Sequence, residues 1–169
     1  ISRLLLGSGP FVVVTVLALV SSAAAQGLSA GNYGRLPMSF AANQGQTDPR
    51  VRFMARGAGY TVFLTPSEAV LTLAPGQPKS VVFRIALDGA NPAPELAGLD
   101  ELPGKANYFI GNDPGKWHTN VPTYARIKYR DVYPGIDLVY YGIQGRLEHD
   151  FIVRPGADPN AIQLSVKGA

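Results

Sequence analysis

The sequence predicts an all-β chain, folded as an antiparallel β-sandwich or open barrel, and three observations carry that prediction. Short runs of side chains alternate between apolar and polar from Arg50 onward, the period of two that a half-buried strand imposes. The breaks between runs are rich in Pro and Gly, of which the 169 residues hold 14 and 19. Pro presets φ for a turn and Gly accepts positive φ. Finally, no stretch places apolar residues at the 3.6 spacing of an amphipathic helix, and no repeat of fixed length occurs.

The first segment is set apart from that pattern. "FVVVTVLALV" (Phe11 to Val20) is an apolar run preceded by Arg3 and followed by "SSAAAQ", so residues 1–25 read as a helical signal peptide with cleavage between Ala25 and Gln26. The rival is an uncleaved anchor, because no charge lies between Leu4 and Ala25 and about 20 apolar residues can span a bilayer. Gly7, Gly9 and Pro10 weaken such a helix, and the alanine run favours the peptidase. The protein is then expected to be secreted or held at the cell surface, meeting membrane only through this leader. Residues 26–35 form a flexible lead-in, and residues 36–169 form the β-rich domain. "AIQLSVKGA" stops just after an alternating run, so the domain is expected to be truncated at its C-terminus.

Each element follows in order. In "RVRFMAR" Val51, Phe53 and Ala55 share one face, with Arg50, Arg52, Met54 and Arg56 opposite. "YTVFLT", "AVLTLA" and "SVVFRIAL" continue the alternation, separated by "PSE" and "PGQPK". Asp88 to Lys105 has prolines and no sustained period, which predicts a long irregular connection. "ANYFIG" reads as a short strand and "NDPGKWHTNVP" as a second loop. "YARIKYRDV", a turn at Pro134-Gly135, and "IDLVYY" form a strand, a turn and a strand. "RLEHDFIVRP" alternates again, with Leu147, His149, Phe151 and Val153 on one face. The intervening "GIQG" suits a tight hairpin. With Ile143 and Gln144 as its loop residues, Ile136 lies opposite Phe151, Tyr140 opposite Leu147, and Asp137 opposite Asp150.

Composition excludes several chemistries. The net charge of +3 arises from 15 basic and 12 acidic residues spread along the chain, without the Lys/Arg cluster that a nucleic-acid surface needs. There is no cysteine, which removes disulfides, thiolate nucleophiles and cysteine metal sites. His118 and His149 stand far apart and give no zinc spacing. His149, on an apolar face, reads as a core residue. No G-x-S-x-G elbow occurs, and "RGAGYTV" does not match a dinucleotide fingerprint. Asp137 and Asp150, with Glu148 nearby, are the candidates for a calcium site or for the paired carboxylates of a glycosidase. Against this, Arg126, Lys128 and Arg130 would share their sheet face and neutralise them as a charge ladder, the reading that base rates favour. Trp117, Tyr108 and Tyr124 flank one loop and could stack on a sugar ring or on a partner's side chain, or simply anchor the loop.

The stretches "LPMSFAANQGQTDPRVRFMARGAGYTVFLTPSEAVLTL", "GLDELPGKANYFIGNDPGKWHTNVPTYARIKYRDVYPGIDLVYYG" and "LEHDFIVRPGADPNAIQLSVKGA" together resemble the N-terminal domain of large exported bacterial proteins bearing β-propeller (SBBP-type) repeats. The resemblance covers nearly all of Leu36 to Ala169. It implies a β-rich module placed ahead of propeller repeats, and it supplies no catalytic residues. The expected function is thus a non-catalytic extracellular structural or interaction module without a cofactor. Its expected partners are the downstream repeats of its own protein and a surface glycan or protein. A carbohydrate-binding module using the Trp117 loop is the alternative, and a glycoside hydrolase using Asp137, Glu148 and Asp150 comes after it.

Overall fold

The computed structural model describes residues 3–6, 12–15, 38–73 and 80–168. The leader, its cleavage point at Ala25 and Gln26, and the lead-in lie outside these residues, apart from the backbones of two short strands, β1 (Arg3–Leu6) and β2 (Val12–Thr15). Ten further strands follow: β3 (Phe40–Ala42), β4 (Phe53–Gly57), β5 (Tyr60–Leu64), β6 (Glu68–Leu73), β7 (Val81–Leu87), β8 (Glu95–Tyr108), β9 (His118–Tyr133), β10 (Ile136–Ile143), β11 (Arg146–Val153) and β12 (Leu164–Lys167). The only helical elements among the described residues are single 3₁₀ turns at Pro114–Lys116 and Pro159–Ala161. The chain is all-β, and its antiparallel sheet curls into a half-barrel.

The sheet runs in the order β1-β2-β11-β10-β9-β3-β4-β5-β6-β7-β12, with β8 attached to β9. The long strand β9 is the hub. Tyr129 pairs with Leu138 of β10 and with Leu96 of β8, while Tyr124 pairs with Phe40 of β3 and with Glu101 of β8. A strand has two edges, so β10 and β3 sit end to end along one edge of β9 and β8 takes the other. From there β3 to β7 form a meander, and β10 with β11 form a hairpin that curls to face it.

The inner surface of the curl is the core. Phe40, Val62 and Leu64 on one side and Ile127, Leu138 and Phe151 on the other are wholly buried. Each such side chain contributes about 1.5–3 kcal/mol by leaving water. Three tyrosines on this face carry polar tips that must be satisfied once buried. Tyr60 Oη donates to the Gly145 carbonyl at 2.9 Å and accepts the Leu147 amide at 2.8 Å. Tyr129 Oη donates to the Thr65 carbonyl at 2.8 Å, and Tyr133 Oη to that of Gln163 at 2.8 Å. All four bonds link segments far apart in sequence.

Three expectations are corrected. The hairpin loop is Gln144-Gly145, with φ of +52° and +75°, and Ile143 pairs with Arg146. The two-residue turn that suits strand twist needs positive φ at both positions, which a β-branched isoleucine resists. The register therefore moves by two, to Ile136 opposite Val153, Leu138 opposite Phe151 and Asp137 opposite Ile152. A shift of two keeps every side chain on its face, so the apolar faces still match.

Second, much of the connection expected over Asp88 to Lys105 is β8. Its pattern is hidden because the register shifts between Glu101 and Lys105 and Asp100 takes φ +54°. Pro103, which cannot donate a ladder bond, is tolerated because β8 is an edge strand. Third, the loop expected over Asn112 to Pro122 ends early: β9 already begins at His118, masked in the sequence by Asn120 at φ +58° and by Pro122.

Candidate functional site

The loop between β8 and β9 carries three of the six exposed large apolar side chains among the described residues. Phe109, Ile110 and Trp117 are 64%, 47% and 39% exposed. Local chemistry nevertheless positions Phe109 and Trp117. Asp113 caps the 3₁₀ turn by accepting the Gly115 amide at 3.0 Å, with Pro114 presetting the first helical φ. Trp117 Nε1 donates to the Gly111 carbonyl at 3.2 Å, and the Phe109 ring meets the indole edge to face, 5.2 Å away at 87°. With its N–H used inside the loop, the indole offers solvent an apolar surface.

The structure does not bring Tyr108 and Tyr124 to this tip. Tyr108 pairs with His118 at its base and packs on the small cluster of Ala41, Met54 and Val121, where burial raises its phenol pKa. Tyr124 lies on β9 against Phe53, ring centres 5.9 Å apart, and over Gly98, where a Cβ would come within 2.4 Å of its ring. It is a wall of the core. The ring beside Trp117 is instead Phe109, followed by the exposed Ile110; both are hidden in the sequence because the apolar run of "ANYFIG" continues past Tyr108, where the strand ends.

The carboxylates are placed differently from expectation. Asp137 is only 7% exposed; its Oδ2 meets Lys128 Nζ at 2.8 Å, and its Oδ1 accepts the Asp131 amide at 2.8 Å and Arg154 at 3.2 Å. Burial alone would raise its pKa, but the Asp131 amide, Lys128 and Arg154 outweigh it and hold the carboxyl below its ordinary value. Asp150 lies opposite Val139, not Asp137, so the two aspartates are diagonal neighbours on the outer face, about 7–8 Å apart. Asp150 hydrogen-bonds Tyr141, whose phenol is pushed up to about 12 by burial and then by Asp150 and Glu148. A cation or a substrate oxygen reaching Asp137 has to displace Lys128 and Arg154. Among the described residues no group of three or more histidines or acids is gathered as metal ligands are.

The remaining ladder is peripheral: Arg126 pairs with Asp100 and Arg130 with Glu95 across β8 and β9. His149 sits on the inner face, 4% exposed, between Tyr140 and Phe151 with ring centres 5.6 Å away in each case. Its Nε2 has no hydrogen-bond partner among the described residues. Burial lowers its pKa to about 4, against a weaker pull from Asp150.

With this geometry in hand, comparison with known proteins gives one assignment. Residues 40–169 match a domain of unknown function, DUF7948. The chain belongs to this family. Neither the curated proteins nor the solved structures return a match. The DUF7948 match starts at Phe40, the first residue of β3, and takes in every strand from β3 to β12. The aromatic tip, the Asp137 network and His149 all belong to the DUF7948 domain.

Proposed function

We propose that this DUF7948 domain is a non-catalytic interaction module of an exported bacterial protein, and that it engages its partner through the tip of the β8–β9 loop. The observation that carries the reading is the pairing of exposure with rigidity. Phe109, Ile110 and Trp117 present apolar surface to water, while a capped turn, an indole hydrogen bond and an edge-to-face ring contact position the two aromatic rings. Exposed aromatics held in one geometry bind with little loss of entropy. The engagement of Asp137 by Lys128 and Arg154 supports a non-catalytic role over a hydrolase built on Asp137, Glu148 and Asp150.

In this reading the leader directs export, the domain precedes β-propeller repeats in a larger secreted or surface protein, and the partner is a surface protein or glycan. The free indole surface favours a sugar ring as a second reading, since stacking needs an aromatic face without a competing polar tip. The test is binding of the full chain to glycan and surface-protein arrays, with and without Phe109→Ala/Trp117→Ala. Loss of binding with unchanged melting temperature supports the tip; equal binding by the variant, or no binding by the wild type, overturns it. For export, N-terminal sequencing of secreted material should begin at Gln26, and recovery beginning at Leu4 or earlier overturns cleavage.

A further inference from the structure

A second surface, built from different residues, lies on the outer face of the β4–β7 meander. Two rows of side chains cross it. Met54, Phe63, Val70 and Arg84 stand opposite one another strand by strand, as do Arg56, Thr61, Thr72 and Val82. Arg52 precedes this grid, its amide bonded to the Leu64 carbonyl at 2.8 Å. The loop bearing Asp48 and Arg50 walls one side, enclosing an open groove of about 610 Å³ over Phe63, Val70 and Val82.

The charges in and beside the groove are unequal in a way that selects a ligand. Asp48 is taken up by Arg50 at 2.8 Å and Glu68 by Arg84 at 2.6 Å. Arg52, on the groove's wall, and Arg56, outside it in the neighbouring depression beside Met54, are exposed and have no carboxylate partner among the described residues. Four residues apart on one strand face, they are separated by roughly 13 Å. A guanidinium presents a planar fork matched to a carboxylate. Duplex DNA carries a charge about every 1.7 Å along its axis, far denser than these two arginines can match. Widely spaced carboxylates on a backbone with flat apolar faces and hydroxyls fit better.

We infer that the outer face of β4–β7 binds an acidic polysaccharide, its carboxylates on Arg52 and Arg56 and its sugar faces over Phe63, Val70 and Val82. The experiment is affinity electrophoresis of the full chain through gels containing polygalacturonate, neutral dextran or single-stranded DNA. Retardation by polygalacturonate alone is expected, weakened at least tenfold in Arg52→Gln/Arg56→Gln. Arg126→Gln, on the opposite wall and paired with Asp100, and Phe109→Ala/Trp117→Ala should both retain it, which separates this surface from the loop tip. No retardation, equal retardation of the Arg52/Arg56 variant at unchanged melting temperature, or stronger retardation by DNA overturns the inference.

Discussion

The Tyr60 hydroxyl accepts the Leu147 amide proton at 2.8 Å across the interior of the half-barrel, joining β5 to the start of β11. The same oxygen donates to the Gly145 carbonyl at 2.9 Å, so one phenol satisfies both backbone groups at the mouth of the β10–β11 hairpin. Tyr60→Phe keeps the ring and strands those two groups. Urea unfolding should show a loss of about 1–3 kcal/mol. A loss below about 0.3 kcal/mol would mean that the bond holds nothing together.

Histidine 149 makes stability depend on acidity. Its folded pKa is about 4 against an ordinary 6.5, so the unfolded chain takes up the proton first. Stability from this residue is complete above about pH 6.5, declines as the pH falls, and is spent by about pH 4, a change of roughly 3 kcal/mol. His149→Leu should flatten the melting temperature over that window relative to wild type. If both proteins lose stability in parallel between those pH values, the imidazole is not the cause.

Replacing Asp137 by Asn removes the charge that Lys128 and Arg154 share. Part-exposed cations can rehydrate, so the expected cost is about 1–3 kcal/mol. Since the folded pKa of Asp137 is lowered, its contribution is present above the ordinary carboxylate value and disappears as the pH drops through the folded one. Melting curves with and without calcium should show the same deficit. A deficit confined to calcium-loaded samples would mean that the carboxylate holds the ion instead.

Two glycines at the same hairpin should respond differently to alanine. Gly145 has φ +75° and open space around it, so Gly145→Ala costs only the backbone strain of about 1–2 kcal/mol. At Gly142 a Cβ would lie 2.2 Å from Met38 Cβ, and the start of β3 must move. Gly142→Ala should therefore cost more, up to about 3 kcal/mol, and should broaden the amide signals of Ser39 to Ala42 in NMR spectra. Equal costs for the two variants would contradict the close approach.

The strands legible in the sequence are those with one buried face. β4 to β7 and β9 to β11 alternate because Phe53, Val62, Leu71, Ile127, Leu138 and Phe151 all point inward. Alternation identifies a face but not a register, because pairings two residues apart bury the same side chains. The expected pairing of Asp137 with Asp150 failed for that reason. The positive φ of Gln144 and Gly145 decides the register, and the reluctance of Ile143 to adopt it was the available signal. β8 escaped because an edge strand with an irregular register and an internal proline has no period to show. The three residues of β3 were too few to register one. Phe109 and Ile110 escaped as site residues because an apolar pair at a strand end looks the same whether it turns inward or out.

The edge that β9 divides between β10 and β3 has a consequence for the order of assembly. β9, β10 and β11 are neighbours along the chain and can zip together locally, whereas Phe40 finds Tyr124 only after a long intervening stretch has been gathered in. A polypeptide emerging N-terminus first can pair β3 with β4 at once, but the other edge of β3 has to wait for β9. The seam between β3 and β9, which joins the meander to the β9–β11 half, is therefore expected to close late, after each half has paired locally.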